Sequence, residues 1–122
     1  MAGIVHIPWY ATLFRGDRIA ASLEDIAPVA LRYGALDWEV RRSAEDRYRF
    51  SQTATFSDHD DFYRYWDGPE FQTWRARHSS WYQVPILPEW YERLGRGQLE
   101  VDADELRNTV PAHPHEPAGG AF

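Results

Sequence analysis

The chain alternates strand-type and helix-type segments in one particular order, and this order limits the possible folds more than any other feature. Strand-type segments are rich in β-branched and aromatic residues or alternate apolar with polar side chains, whereas helical segments repeat apolar side chains every three to four residues. The pattern predicts strands at residues 4–14, 36–41, 48–56 and 81–91, and helices at residues 19–31 and 58–78.

Prolines and capping residues refine these segments. Pro8 favours an edge strand or a bulge, as do the prolines of the fourth strand, because proline lacks the N–H that a central strand donates. Pro28 is expected to kink the first helix, and Gly34 stands where a left-handed cap would end it. Asp58 is expected to cap the second helix, and Pro69 suits the first position of a restarted one.

The resulting order, β-α-β-β-α-β, predicts a ferredoxin-like α+β sandwich, in which a four-stranded antiparallel sheet carries two helices on one face. The other face of the sheet then has no cover from this chain and is expected to meet solvent or a partner. One domain at residues 1–97 accounts for these elements. Residues 98–122 are expected to form a C-terminal extension with a short helix at 102–109 and a Pro/Gly-rich tail.

Composition excludes several classes of chemistry. The chain has no cysteine, and all 13 of its basic residues are arginine, so thiolate nucleophiles, disulfides, Schiff-base lysines and a P-loop lysine are impossible. No Gly-x-Gly-x-x-Gly motif is present for a dinucleotide cofactor, and we expect neither a cofactor nor a metal. A net charge of −6 argues against nucleic acid as a partner. Without a long apolar run or a signal-like start, a cytoplasmic protein with no membrane partner is expected.

Aromatic residues make up 16% of the chain, which is unusually high. Such side chains either fill a core or line a pocket for a flat organic ligand, and the sequence leaves both interpretations open. If a pocket forms between the sheet and the second helix, the candidate substrate-binding residues are Trp9, Trp38, Tyr65, Trp66 and Trp74.

Three polar residues are candidates for catalysis. Gln52 lies among apolar neighbours on its strand, so its amide is either satisfied within the core or donates to a substrate carbonyl or phenolate. His78 follows Trp74 by one helical turn and is either a general base or a helix-end imidazolium. Arg75 is the alternative to Gln52 for holding a developing oxyanion.

The predicted uncovered face of the sheet is polar. Its residues favour an ion-paired dimer seam, with Glu39 bound to Arg41 or Arg49, or else a polar interior in which these two arginines clamp an acid. The face carries His6, Tyr10, Glu39, Arg41, Arg49, Ser51, Thr53 and Gln83.

Two other groups contain metal-ligand types. The run from Asp58 to Asp61, which includes His59, is better explained by helix capping, because adjacent residues at a helix start point in different directions. His113, His115 and Glu116 in the tail are weak metal candidates.

The second-helix segment FYRYWDGPEFQTWRARH resembles the dimeric α+β barrel superfamily, and most closely the antibiotic-biosynthesis-monooxygenase group, in which a W-x-(S/G)-P-x-F turn lies on this helix. The resemblance covers residues 4–94. It implies a homodimer whose two sheets close into a barrel, with one pocket per subunit between sheet and helices. Members of the superfamily oxidise polyphenols without a cofactor, degrade haem or carry unrelated chemistry.

The chain departs from this group at residues that matter for activity. Haem-degrading and quinone-forming members use a pocket asparagine, whereas the one asparagine here, Asn108, lies outside the resembling region. The haem branch also pairs a helix tryptophan with a histidine, and Trp66 and His78 are spaced too widely for that pairing. Alignment on the Gly68-Pro69 turn places Tyr65 and Trp74 at the two positions instead.

Together these features predict a small cofactor-independent enzyme, of the oxygenase or isomerase type, that acts on an aromatic or polyketide-like molecule. The alternatives are a non-catalytic dimeric protein that binds the same ligands, and a haem-binding member with His78 or His6 at the iron. The expected partners are a second copy of the chain and an aromatic small molecule.

Overall fold

The computed structural model describes residues 2–99, which form a four-stranded antiparallel sheet with helices on one face. The predicted ferredoxin-like fold is confirmed. The order of the strands across the sheet is β2-β3-β1-β4. The strands are β1 (Gly3–Tyr10), β2 (Ala35–Arg42), β3 (Arg49–Phe56) and β4 (Glu89–Glu92).

The helical segments follow β1 and β3, as the sequence predicts. After β1, α1 (Gly16–Ile26) continues into a 3₁₀ helix (Ala27–Tyr33). After β3, α2 (His59–Trp66) and α3 (Pro69–Arg77) meet at a turn. Both α2 and α3 pack on the same face of the sheet as α1.

Local signals explain where these helices begin and end. The α-helical part of the first segment ends just before Pro28, and Gly34 closes the 3₁₀ helix with a φ of 100°, in the left-handed region that glycine adopts without strain. The side chain of Asp58 accepts a hydrogen bond from the Asp60 N–H at 2.9 Å and so caps α2. Pro69 is the first residue of α3. The predicted caps and restart are confirmed, and around Pro28 a 3₁₀ helix replaces the α-helix in place of the predicted kink.

The prediction that Pro8 marks an edge strand or a bulge is wrong. β1 lies between β3 and β4, and its register with β3 runs without a shift from Gly3 to Tyr10. The inner position is compatible with proline because the short β4 pairs only with Gly3–His6, so Pro8 lies beyond the end of β4. The fourth strand is an edge strand, as expected, but it is confined to four residues.

The core lies between the helices and one face of the sheet. β3 presents Phe50, Gln52, Ala54 and Phe56 to this face, as its alternation predicts, and all four are buried. The outermost strand β2 is less covered than expected, because Leu36 is 64% and Trp38 37% exposed. Buried residues of the other elements include Val5, Ile7, Trp9, Ile19, Leu23, Phe62, Tyr65, Phe71 and Trp74.

Some sequence predictions lie outside the described residues, namely the helix at 102–109, the tail and its histidines. Within residues 2–99, no helix is both long enough and apolar enough to cross a membrane.

Candidate functional site

A cleft of about 130 Å³ lies between α2 and the adjoining strands β1 and β4. We refer to it as the aromatic cleft, since four of its eight lining residues are phenylalanine, tyrosine or tryptophan. It is lined by Val5, His59, Phe62, Tyr63, Trp66, Pro88, Glu89 and Trp90.

The helical repeat of α2 builds one wall of the aromatic cleft. His59, Tyr63 and Trp66 are four and three residues apart, so their side chains lie on one face of the helix. Trp90 on β4 builds the opposite wall. The His59 imidazole stacks on the Trp90 ring, with ring centroids 4.1 Å apart and an angle of 23° between the planes. The histidine therefore links the exposed start of α2 to the strand across the cleft.

Arg75 packs against Trp66, one of the residues that line the cleft. Its guanidinium lies 3.9 Å from the centroid of the Trp66 ring, and its NH1 group donates a hydrogen bond to the Trp66 carbonyl oxygen at 2.9 Å. Burial lowers the pKa of Arg75 below its ordinary value. The predicted oxyanion-binding arginine thus contacts the cleft through a tryptophan that lines it.

Gln52 lies in the core, where its amide has partners on both sides. Its Oε1 accepts a hydrogen bond from Trp9 Nε1 at 2.9 Å, and its Nε2 donates to the Tyr65 hydroxyl at 3.0 Å. The Tyr65 hydroxyl in turn donates to the Ile26 carbonyl at 2.7 Å. Gln52 is only 2% exposed, and burial raises the pKa of Tyr65 well above its usual value. This arrangement is that of an amide satisfied within the core.

His78 ends α3 in a separate aromatic environment. Its ring stacks on Trp81 at 4.3 Å between centroids and meets the edge of Trp74 at 5.1 Å. Burial, and then the positive charge of Arg77, lower the pKa of His78 below 6.5, while Asp25 acts in the opposite direction. This environment favours the neutral imidazole, as a general base requires, but His78 is not among the residues that line the aromatic cleft.

The structure separates the predicted site residues into groups. Of the eight, Trp66 lines the aromatic cleft and Arg75 supports it. Trp38 lies on β2, at the opposite edge of the sheet from β4, so it cannot share this cleft. The remaining predicted residues pack in or beside the core, namely Trp9, Gln52, Tyr65, Trp74 and His78.

Of the residues that line the cleft, only Trp66 was predicted as a site residue, and those missed include His59, Tyr63 and Trp90. The helical spacing of His59, Tyr63 and Trp66 was a usable signal. It was outweighed by the capping interpretation of the run from Asp58 to Asp61, and that interpretation is confirmed for Asp58. Trp90 carried no such signal, because its place opposite α2 depends on how β4 joins the sheet.

The face of the sheet away from the helices, here called the outer face, carries the polar residues expected from β1, β2 and β3. The prediction is wrong for Gln83, which lies outside the strands because β4 begins only at Glu89. Glu39 pairs with Arg41 at 2.9 Å, whereas Arg49 lies 3.9 Å from Asp46. His6 Nδ1 lies 3.1 Å from Glu89 Oε1. Within residues 2–99, no three His, Asp or Glu side chains are grouped as metal ligands would be.

Comparison with known proteins defines the fold more closely. No model of a known family and no curated protein matches the sequence. Solved structures do match, at low sequence identity. A putative antibiotic biosynthesis monooxygenase from Nitrosomonas europaea is 16% identical and has a TM-score of 0.69, with 76% of this chain and 90% of that chain covered.

Two further structures extend this likeness. SnoaB, a cofactor-independent oxygenase from Streptomyces nogalater, is 12% identical with a TM-score of 0.66, covering 78% of this chain and 95% of its own. Rv0793 from Mycobacterium tuberculosis is 11% identical with a TM-score of 0.69, covering 80% of this chain and 100% of its own. The chain therefore has the fold of antibiotic-biosynthesis-monooxygenase-like proteins, and the resemblance inferred from the sequence is confirmed at that level.

Proposed function

We propose that this protein is a small oxygenase-type enzyme that acts, without a cofactor, on an aromatic molecule bound in the aromatic cleft. The observation that carries the proposal is the cleft itself, in which Phe62, Tyr63, Trp66 and Trp90 surround a space with one imidazole, that of His59, at its border. Flat rings and a proton acceptor at the border suit an aromatic substrate that ionises before it reacts. The likeness to a cofactor-independent oxygenase supports the same class.

The size of the cleft narrows the substrate. Its volume of about 130 Å³ is close to the roughly 150 Å³ of an apolar cavity that holds one benzene molecule. One aromatic ring therefore fills the cleft, and the other rings of a polyketide-like molecule would extend past its open side. We expect the ring that reacts to be the enclosed one.

Dioxygen is the co-substrate in this proposal. A phenol that loses its hydroxyl proton to His59 becomes an electron-rich phenolate, which can transfer an electron to dioxygen. Recombination forms a C–O bond, and loss of water leaves a quinone, so that the phenol and dioxygen give the quinone and water in balance. The aromatic walls exclude water from the phenolate while this happens.

The other predicted residues have subordinate places in this proposal. Arg75 fixes the Trp66 ring and its charge favours a nearby anion, whereas Gln52 acts only by holding Trp9 and Tyr65. His78 stays a prediction as the alternative base. A homodimer through the outer face is also part of the proposal, since that face is polar and has no helix over it.

A non-catalytic binding protein is the second candidate function. The engagement of Gln52 within the core favours it, because no buried amide is then left to hold a substrate oxygen. The two candidates share the aromatic cleft and differ only in turnover.

The proposal is tested with phenol, by intrinsic fluorescence and by oxygen uptake. Saturable quenching is expected in the wild type, and Trp66→Ala should weaken binding at least about tenfold because the ring loses one wall of its site. Trp38→Ala is the matched control and should bind normally. His59→Gln should bind but consume oxygen about 10²-fold more slowly.

Equal effects of Trp66→Ala and Trp38→Ala, or the absence of saturable quenching, would refute the cleft. Normal binding without oxygen uptake in the wild type would instead establish the binding protein. If His78→Gln rather than His59→Gln lost turnover, the base would be the one expected from the sequence.

A further inference from the structure

The outer face holds a second concave site, on the opposite face of the sheet from the aromatic cleft. A groove of about 490 Å³ lies between strands β2 and β3 and the segment Arg93–Gly97 that follows β4. Three arginines line it, Arg41, Arg93 and Arg96. We refer to it as the arginine groove.

The carboxylates of the arginine groove are already engaged. Asp37 Oδ1 accepts a hydrogen bond from the Thr55 N–H at 3.0 Å. Glu39 is held by Arg41 through contacts of 2.9 Å and 3.4 Å. Neither acid is paired with Arg93 or Arg96 in the part of the chain described.

Arg93 is anchored by a neutral group. Its NH2 group donates to the Thr55 hydroxyl at 3.1 Å, and Thr55 is 3% exposed, so the anchoring atom belongs to the buried floor of the sheet. Arg96 makes no ion pair with any residue between 2 and 99. The groove is therefore lined by three guanidinium groups against two carboxylates, and within residues 2–99 neither Arg93 nor Arg96 forms an ion pair with a carboxylate.

We propose that the arginine groove binds a small organic anion through its oxyanion group, with Arg93 and Arg96 as the charged contacts and the Thr53 hydroxyl as a further donor. Guanidinium groups bind carboxylate and phosphate oxygens in paired, charge-assisted hydrogen bonds. The sequence offers Arg41 and Arg49 as the clamp for an acid. The proposal assigns this role to Arg93 and Arg96 instead, because Arg41 is held by Glu39 and Arg49 lies beside Asp46.

This inference is independent of the aromatic cleft. The arginine groove lies on the outer face, whereas the cleft lies beneath α2 on the helical face. In the proposed homodimer through the outer face, the grooves of the two copies would lie at the interface between them. Oxygen uptake and fluorescence quenching can therefore fail while the groove still binds its anion.

The test uses the full chain with succinate and with inorganic phosphate as separate probes, and with succinamide as the neutral control. Calorimetric titration and amide chemical shifts should show saturable binding of at least one anion and none of succinamide. The shifts should centre on Thr53 and Thr55. Binding should weaken as salt rises, because exposed charges are screened.

Arg93→Gln and Arg96→Gln should each weaken anion binding about tenfold or more, since each removes a charge-assisted contact. Arg77→Gln, an exposed arginine on α3, is the matched control and should change nothing. The relative affinities for succinate and phosphate identify which oxyanion the groove prefers.

Three results would overturn the proposal. They are equal binding of succinamide, shifts centred away from β3, and equal losses in Arg77→Gln and Arg96→Gln. Unchanged circular dichroism will show that the variants are folded.

Discussion

The two faces of β3 differ in almost every physical respect, although their residues alternate along one strand. Gln52 points into the core, where each of its polar atoms has a fixed partner, and it is nearly inaccessible to water. Thr53, one residue later, lies on the outer face and borders an open groove. The comparison shows that one face is organised by packing and complete hydrogen bonding, whereas the other is organised by charge.

The first prediction tests the difference between the two faces of β3 and has the largest expected effect. Gln52→Leu keeps the volume of the side chain but leaves Trp9 Nε1 as a buried donor without an acceptor, which should lower the free energy of unfolding by about 1–3 kcal/mol. Thr53→Val makes the same kind of change on the outer face and should cost less than about 0.5 kcal/mol. Urea denaturation measures both, and equal losses would contradict the assignment of Gln52 to the core.

The second prediction concerns association through the outer face. Glu39→Arg replaces the carboxylate that holds Arg41 with a second positive charge and should raise the dissociation constant of the proposed homodimer about tenfold or more. Light scattering should give roughly twice 14.3 kDa for the wild type and a smaller mass for the variant. Glu24→Arg, on exposed α1, carries the same change of charge and should leave the dimer intact. A monomeric wild type at micromolar concentration would refute the dimer.

The third prediction concerns the pH dependence of stability that comes from His78, on the helical side of the sheet. The pKa of His78 is lowered in the folded protein, so the unfolded chain binds a proton more readily. The contribution of His78 to stability is therefore full above its unfolded pKa of about 6.5 and declines as the pH falls toward the lower folded pKa. His78→Gln should remove this part of the pH dependence.

A proton NMR titration of His78 measures the folded pKa directly. A midpoint below about 6.5 agrees with burial against Trp74 and Trp81 and leaves a neutral base at pH 7. A midpoint above that value would mean that an imidazolium is stabilised at the end of α3, and it would remove His78 as a candidate base. The slope of stability against pH would then have the opposite sign.

Much of the fold was predictable because it depends on local periodicity. The alternation of β3 correctly assigned Phe50 and Gln52 to the buried face, and the Asp58 cap and the Pro69 restart fixed the bounds of α2 and α3. The position of Pro8 was not predictable in this way. Whether a proline disturbs a strand depends on how far the neighbouring strand extends, and β4 ends its pairing at His6.

The candidate site was harder to predict than the fold. The aromatic residues of the second helical segment are equally compatible with a ligand site and with a core, and the structure contains both kinds. Trp74 donates its indole N–H to the Ser22 carbonyl at 3.1 Å within the core, whereas Trp66 lines the aromatic cleft. Both residues are tryptophans of the same predicted helical segment, and only the elements that pack against them distinguish their roles.

The sequence by itself determined the order of the elements, the sides of β3 and the exclusion of lysine and cysteine chemistry, because these follow from residue identity and from contacts along one segment. The tertiary structure alone decided which side chains meet. His59 reaches Trp90 across 31 positions of sequence, and Arg93 reaches Thr55 across 38. Such contacts depend on the order of strands in the sheet, which brings together residues that no local pattern connects.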